Sequence, residues 1–220
     1  MSKPISIIHL SDLHISHSDI TNQSIVLQAL WSDIRQRRES GFTPDLVFFT
    51  GDLIAKGDYS TENKTLVREK FVTPLLEAAG IPRDRLFVVP GNHDVQLPGR
   101  HRYVSSALDA IKCQEHARDF FLAAQLDPVA DGSEGFNDLL VSLCLAVPAL
   151  SNSHYRAYKT EVGSLNVGIC AINSAWRASG RANDADYGTL IIGRHQLDEL
   201  VESVKACDLC SDYSTIRCSG

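Results

Sequence analysis

The sequence predicts an α/β fold in which β-sheets form layers flanked by helices. The first observation is a set of four short apolar runs rich in branched residues, at residues 5–10, 46–50, 86–89 and 165–172, which have the length and composition of buried strands. The second is that segments with apolar residues at helical spacing separate the first three runs. This alternation of strand and helix implies right-handed crossovers and a largely parallel sheet with helices packed on it.

Each of the two segments between these strands predicts a helix. Their apolar residues recur at helical spacing: Val26, Leu27, Leu30, Trp31 and Ile34 in the first, and Leu66, Val67, Phe71, Leu75 and Leu76 in the second. Gly41 stands where the C-terminal cap of the first helix would lie. Pro74 should kink or divide the second helix, because proline has no amide N–H to donate, and Gly80 followed by Pro82 should end it.

The middle of the chain departs from this alternation. Residues 95–149 are interpreted as an insertion beside the sheet, within a single domain spanning residues 1–220. The pattern predicts one long helix over residues 104–124, followed by a loop rich in glycine and aspartate over residues 131–137.

The last third of the chain returns to regular elements. Residues 155–162 and 165–172 predict a β-hairpin closed by the two-residue turn Gly163-Ser164. A final helix is predicted by four apolar residues at helical spacing: Leu197, Leu200, Val201 and Val204. Residues 215–218 predict the beginning of one more strand.

Composition and charge limit the functional classes. The chain has 220 residues, 44% of them hydrophobic and 22% charged, as expected of one globular domain. Its net charge of -6 permits but does not indicate a nucleic-acid substrate, and it disfavours binding to an anionic membrane. No apolar stretch reaches the roughly 18 residues of a membrane span, and the N-terminal run is too short for a signal peptide. A cytoplasmic protein with reduced cysteines is therefore expected.

Polar clusters follow the first three predicted strands, at the point where each strand ends. In chain order they are Asp12-Leu13-His14, Gly51-Asp52 and Pro90-Gly91-Asn92-His93-Asp94. The carboxyl ends of parallel strands share one edge of the sheet, and open α/β sheets bind ligands at that edge. We therefore expect the three clusters to meet in one site.

Each cluster alone also has a purely structural interpretation. Asp12 could cap a turn with His14 as a surface histidine, Asp52 could be a turn residue, and the third cluster could be a proline–glycine turn. In extended backbone, however, Asp12 and His14 would point to the same side and could bind one cation together. Gly51 permits a sharp turn at the strand end. Three such clusters at one edge are hard to explain as unrelated turns.

These clusters resemble the D-x-H, G-D and G-N-H-D blocks of the calcineurin-like metallophosphoesterase superfamily. The resemblance extends more loosely to Asn173-Ser174-Ala175-Trp176 and to Gly193-Arg194-His195-Gln196-Leu197, which look like the region before the family's later histidine blocks. It implies a metallophosphoesterase-type fold of layered β-sheets flanked by helices, with a helical insertion. It also implies hydrolysis of phosphomonoesters or phosphodiesters, so that a phosphate ester is the expected substrate.

The resemblance further implies how metal ions are held. Asp12 and His14 match the residues that hold the first ion in the family, Asp52 matches the residue that bridges both ions, and Asn92 matches a ligand of the second. Two divalent ions are therefore the implied cofactors. A carboxylate can span two cations, and mixed aspartate, histidine and asparagine ligands suit Mn, Fe or Zn.

Two further residues carry implied catalytic roles. His93 matches a family histidine that lies beside the metals and acts on the leaving oxygen as an acid or charge stabiliser. Asp94 is the expected orienting partner of His93. The implied reaction is an in-line attack on phosphorus by a water molecule activated between the two ions.

The sequence departs from the family at its end. Full-length relatives supply three further histidines from two later blocks, and neither block is present. The expectation is therefore an N-terminal portion, truncated at the C-terminus, with a second ion left to Asp52 and Asn92 and a fusion to further domains beyond residue 220 permitted. Two hypotheses stay open: an enzyme that has little turnover in this form, or a noncatalytic phosphoesterase scaffold that binds or senses within a larger protein. Structural or surface roles are expected for the other histidines: His9, His17, His101, His116, His154 and His195.

Overall fold

Two three-stranded sheets form the centre of the computed structural model, which describes residues 4–97, 100, 102–126, 132–179 and 190–207. The first sheet is parallel and contains, in spatial order, β1 (Ile7–Leu10), β2 (Leu46–Thr50) and β3 (Leu86–Val89). The second sheet is antiparallel and contains β4 (Leu150–Ser151), β5 (Tyr155–Val162) and β6 (Leu165–Ile172). The predicted α/β class with a parallel sheet and flanking helices is confirmed.

Helices connect the parallel strands as predicted. Helix α1 (Ile20–Glu39) joins β1 to β2, and Gly41 follows its end with the positive φ of 98° that such a cap requires. Between β2 and β3 the chain forms α2 (Thr61–Leu66), a π-helical stretch (Val67–Val72) and α3 (Thr73–Ala79). Gly80 ends α3 in the left-handed conformation, and its N–H donates to the Leu76 carbonyl over 2.8 Å.

Pro74 changes the second helix without breaking it. An α-helix would bring the proline ring against the carbonyl of Lys70, four residues earlier, and would lose one hydrogen bond. The π-helical stretch Val67–Val72 lies immediately before the α3 turn that contains Pro74, and its wider turns accommodate the proline. The predicted division of this helix is therefore a local change of helix type.

The main hydrophobic core lies between the parallel sheet and its helices. Alternate residues of a strand point to opposite faces, so Val47 and Phe49 of β2 face the helices while Leu46 faces the second sheet. The Phe49 ring meets the Phe71 ring edge to face at 5.1 Å. Side chains of this size each contribute about 1.5–3 kcal/mol when fully buried.

The segment interpreted as an insertion contains three helices. The single helix expected over residues 104–124 is wrong: the structure has α4 (Arg102–Ala110) and α5 (Gln114–Leu126). The break between them lets both helices turn buried side chains toward Trp176. That residues 95–149 form an insertion stays a prediction.

The loop expected over residues 131–137 is also largely wrong. Helix α6 (Glu134–Leu143) begins within it, and Asp131 lies outside the described residues. Phe136, Leu139 and Leu143 are fully buried in the main core. Their spacing is helical, and this signal was obscured by the neighbouring glycines.

The C-terminal half follows the prediction more closely. The hairpin of β5 and β6 has Val162 opposite Leu165, with Gly163 at a φ of 62° in the turn. Helix α7 (Arg194–Val204) packs Leu200 and Val204 against the antiparallel sheet. The strand predicted at residues 215–218 lies outside the described residues. No helix in the described ranges combines the length and apolar character needed to cross a bilayer.

Candidate metal centre

Three loops meet where the parallel strands end. The loop after β1 runs beside the loop after β2: the N–H of Asp12 donates to the Gly51 carbonyl over 3.0 Å, and that of His14 to the Asp52 carbonyl over 2.8 Å. A parallel bridge between Ile15 and Ile54 continues this pairing beyond the strands. The first two clusters thus meet at one edge of the sheet through backbone pairing, whereas side-chain hydrogen bonds of Asp52 and Asp94 join the third loop to the second.

Three residues of these loops have strained backbone. The φ angles are 59° at Asp12, 50° at His14 and 60° at Asp52, all in the left-handed region. Each such residue costs of order 1–3 kcal/mol and persists only where the surroundings impose it, typically at ligand sites. The prediction that Asp12 and His14 lie in extended backbone is therefore wrong, because both residues have left-handed backbone.

Candidate metal ligands from all three loops come together. One ligand atom each from His14, Asp52 and His93 can be chosen so that all lie within 4.8 Å of one another. The His14 Nε2 atom is 3.9 Å from Asp52 Oδ2, and the rings of His14 and His93 meet edge to face at 4.7 Å. The backbone N–H of His93 donates to Asp52 Oδ1 over 2.9 Å. His93, whose implied role was catalytic, therefore also lies within reach of a cation bound by the other two residues.

Two glycines allow the second and third loops to approach this closely. A Cβ atom on Gly91 would lie 2.2 Å from Asp52 Oδ1 and 2.6 Å from the Asp52 backbone nitrogen. Gly51 has a φ of 108°, and a Cβ there would lie 3.0 Å from the Gly91 Cα atom. These positions require glycine, which explains physically the G-D and G-N-H-D spacing of the sequence.

Asp94 connects the second and third loops through its carboxylate. Its side chain is buried, and its carboxylate accepts hydrogen bonds from the backbone N–H groups of Leu53, Ile54 and Gly91 over 2.8–3.1 Å. Burial raises the pKa of Asp94, while these three donors oppose that shift by stabilising the carboxylate. Within the described residues Asp94 makes no hydrogen bond with the His93 ring. Its role as the orienting partner of that ring stays a prediction.

Tyr59 supports the same loop, and sequence reasoning did not find it. Its hydroxyl donates to the Asp94 backbone carbonyl over 2.6 Å, and the residue is only 9% exposed. The two residues are 35 positions apart in the chain, and no local pattern marks such a pair. This contact joins the third loop to the segment that follows the second loop.

Asp12 and Asn92 lie on the same loops as the three converging residues. Asp12 is exposed two positions before His14, and Asn92 is half-buried directly before His93. The Asp12 carboxylate is not among the groups whose ligand atoms lie within 4.8 Å of one another in the described chain. The ligand roles of Asp12 and Asn92 stay predictions.

The other histidines that the structure describes lie apart from this group. His9 pairs with the Thr50 hydroxyl over 2.6 Å, and His195 lies 3.1 Å from Glu199 on α7. His154 is buried, with its ring in contact with Phe120, Phe121 and Trp176. His17 and His116 are exposed, and His101 lies outside the described residues.

The converging side chains suit a divalent transition-metal ion. Imidazole and carboxylate are the ligands that such ions bind in proteins, and left-handed residues together with required glycines mark a site whose shape is imposed. A family model described as calcineurin-like phosphoesterase matches residues 5–152, which include all three loops and about two thirds of the chain. No curated protein matches the chain.

Proposed function

The chain belongs to the calcineurin-like phosphoesterase family, and on that premise we propose that it hydrolyses phosphomonoesters or phosphodiesters with bound divalent metal ions. The observation that carries the proposal is the convergence of His14, Asp52 and His93 at the end of the parallel sheet. Such an edge is where open α/β sheets bind ligands.

Four residues would hold the ions. Asp12 and His14 would bind the first, Asp52 would lie between both, and Asn92 would bind the second; Mn, Fe and Zn all suit these ligands. Such ions neutralise charge on the phosphoryl oxygens and lower the pKa of an attacking water molecule. The strained backbone at Asp12, His14 and Asp52 supports this assignment, because such conformations cluster at ligand sites.

His93 would give a proton to the leaving oxygen. Its side chain is exposed, so a substrate can reach the ring, and its backbone N–H is bound to Asp52. The edge-to-face contact with the His14 ring restricts its orientation. An imidazole is well suited to proton transfer near neutral pH. Asp94 and Tyr59 would act indirectly, by holding the backbone from which His93 projects.

The test is hydrolysis of an aryl phosphate and of a bis-aryl phosphodiester with added Mn²⁺. We expect weak activity in the unaltered chain, since the second ion has few ligands, and loss of that activity in the His14→Ala and Asp52→Asn variants. Asp33→Asn is the matched control, because Asp33 is an exposed helix residue that pairs with Arg37. Equal activity in Asp52→Asn and the unaltered chain would contradict the proposal.

A noncatalytic metal-binding or sensor module is the second candidate. The observation that favours it is the same three-residue group, which can bind a cation whether or not hydrolysis follows. Calorimetry with Mn²⁺ and Zn²⁺, run beside the hydrolysis assay, separates the two functions. Metal binding that depends on His14 and Asp52 without any turnover would favour the module over the enzyme.

A further inference from the structure

The first loop, which follows β1 and carries Asp12 and His14, is held by a side chain of helix α1. Gln23 lies in the first turn of that helix. Its Nε2 atom donates to the His14 carbonyl over 2.7 Å and lies 3.5 Å from the Leu13 carbonyl oxygen. Its Oε1 atom accepts from the Ser16 N–H over 3.3 Å. One amide side chain therefore binds both kinds of backbone group around the left-handed His14.

Both backbone groups of His14 are consequently bound to other elements. Its N–H donates to the Asp52 carbonyl of the second loop, and its carbonyl accepts from Gln23 on α1. A residue with a φ of 50° keeps that conformation only where its surroundings impose it. Because the allowed directions of a side chain depend on its backbone, the two hydrogen bonds help to set where the His14 imidazole points.

Helix α1 provides Gln23 with a rigid base. Leu27 follows Gln23 by one helical turn, so the two side chains lie on the same face of the helix. Leu27, Trp31 and Ile34 are buried in the main core. Gln23 is half-buried at the end of this face where the chain enters the helix from the first loop. A side chain carried by such a packed element can hold strained backbone in one conformation.

We propose that Gln23 is a positioning residue for metal binding, which acts by holding the His14 peptide in its left-handed conformation. Without this hydrogen bond the His14 backbone relaxes toward the more favourable regions of φ and ψ. The imidazole then leaves the position from which it meets Asp52 and His93. The effect on metal affinity rests on the proposed function, whereas the hold of Gln23 on the first loop does not.

Hydrogen exchange of the full chain with a chelator tests the hold on the loop without any metal. Gln23→Met keeps the length of the side chain and removes its donor and acceptor. The N–H groups of His14 and Ile15 donate to the Asp52 and Leu53 carbonyls. We expect these two amide protons to exchange at least about tenfold faster in Gln23→Met, and those of β2 to exchange as before. Unchanged exchange at His14 and Ile15 overturns the proposal.

Calorimetry and the visible spectrum of bound Co²⁺ test the effect on the metal centre. We expect Gln23→Met to weaken Mn²⁺ binding at least about tenfold, because residues that orient a metal ligand affect affinity on this scale. The Co²⁺ bands report the ligands and geometry of the ion, so they should change when His14 moves. Faster exchange with unchanged affinity and an unchanged spectrum overturns the positioning role.

Arg38→Met is the matched control on the same helix. Arg38 lies near the other end of α1, roughly 22 Å from Gln23 along the axis. Its guanidinium donates to the carbonyls of Glu77 and Ala78, so this variant also removes hydrogen bonds from an α1 side chain to backbone. Exchange at His14, Mn²⁺ affinity and the Co²⁺ spectrum should stay as in the unaltered chain. The same changes in Arg38→Met as in Gln23→Met would show a general loss of stability and overturn the proposal.

A second variant keeps the test decisive if Gln23→Met does not fold. Gln23→Asn keeps an amide and shortens its reach by one methylene, so it should lose the hydrogen bond to the His14 carbonyl. We expect the same faster exchange and weaker Mn²⁺ binding in this variant, with melting curves to show that it folds. Normal exchange and normal affinity in folded Gln23→Asn overturn the proposal.

The outcomes separate this inference from the proposed function. A chain that binds no metal, yet exchanges faster at His14 in Gln23→Met, would contradict the proposed function and support the hold of Gln23 on the first loop. A chain that hydrolyses phosphate esters with bound metal, and keeps its metal affinity in Gln23→Met, would support the proposed function and overturn this inference.

Discussion

A Cβ atom at position 91 would lie 2.2 Å from Oδ1 of Asp52, so the Asp52 carboxylate occupies the space that a side chain at position 91 would need. The contact explains why the third loop can donate the His93 N–H to the same oxygen. It also makes the backbone of one loop a wall of the candidate metal centre. Substitution of Gly91 with a residue that has a side chain should therefore affect metal binding.

Replacement of Gly91 with alanine tests this relationship. The added methyl group must displace Asp52 or the third loop, at a cost of about 1–3 kcal/mol, and should weaken metal binding at least about tenfold. Metal affinity is measured by calorimetry and stability by urea unfolding. The control is Gly163→Ala, which strains a turn with a φ of 62° in open space and should lower stability alone. Normal metal affinity in Gly91→Ala would show that the close approach is not needed.

Asp94→Asn tests the connection between the second and third loops. An amide keeps the volume but cannot accept all three backbone hydrogen bonds from Leu53, Ile54 and Gly91. We expect the free energy of unfolding to fall by about 2–4 kcal/mol, since hydrogen bonds to a buried carboxylate are strong. Metal affinity should fall as well. Asp84→Asn, at an exposed carboxylate before β3, should change neither quantity.

Tyr59→Phe removes one hydrogen bond from the same region. The Asp94 carbonyl loses its donor, and we expect a loss of about 1–2 kcal/mol in urea unfolding. Metal affinity should fall less than in Asp94→Asn, because the carboxylate still joins the loops. Tyr103→Phe, at a tyrosine that is 66% exposed, is the control for removing a phenolic hydroxyl. A Tyr59→Phe variant as stable as the control would mean that this contact adds nothing.

His93→Ala distinguishes an acid from a metal ligand. For an acid, kcat should fall about 10²–10⁴-fold while metal affinity changes little. The fall should be smaller for aryl phosphates whose leaving group has a low pKa, because such groups depart without a proton. Rates are measured across a series of leaving groups, and metal affinity by calorimetry. A loss of metal affinity that parallels the loss of rate would instead make His93 a ligand.

Metal removal should lower stability without unfolding the chain. The sheets and helices pack around their own apolar cores, so the chelated protein should keep its circular dichroism spectrum. An ion present at 100 times its dissociation constant should add about 2.7 kcal/mol to the free energy of unfolding. The corresponding rise in melting temperature should vanish in His14→Ala and persist in His116→Ala, where an exposed histidine lies outside the site. A rise that persists in His14→Ala would place the ion elsewhere.

Several elements could be predicted because their signals are local. The strands β2, β3, β5 and β6 were predicted with the bounds that the structure shows, since apolar runs mark β2, β3 and β6 and a glycine turn separates β5 from β6. Helix α6 was missed because the glycines around it resemble a loop, and it forms because Phe136 and Leu139 find a core to enter. That core is supplied by residues far away in the chain.

By itself, the sequence determined the α/β class and the placement of three polar clusters at three strand ends, because periodicity and strand order are properties of neighbouring residues. Only the tertiary structure decided how those clusters are used. The loops pair with left-handed backbone at Asp12, His14 and Asp52. The buried Asp94 carboxylate accepts hydrogen bonds from backbone N–H groups of another loop. Each of these outcomes depends on contacts between distant segments, whose energies no local pattern contains.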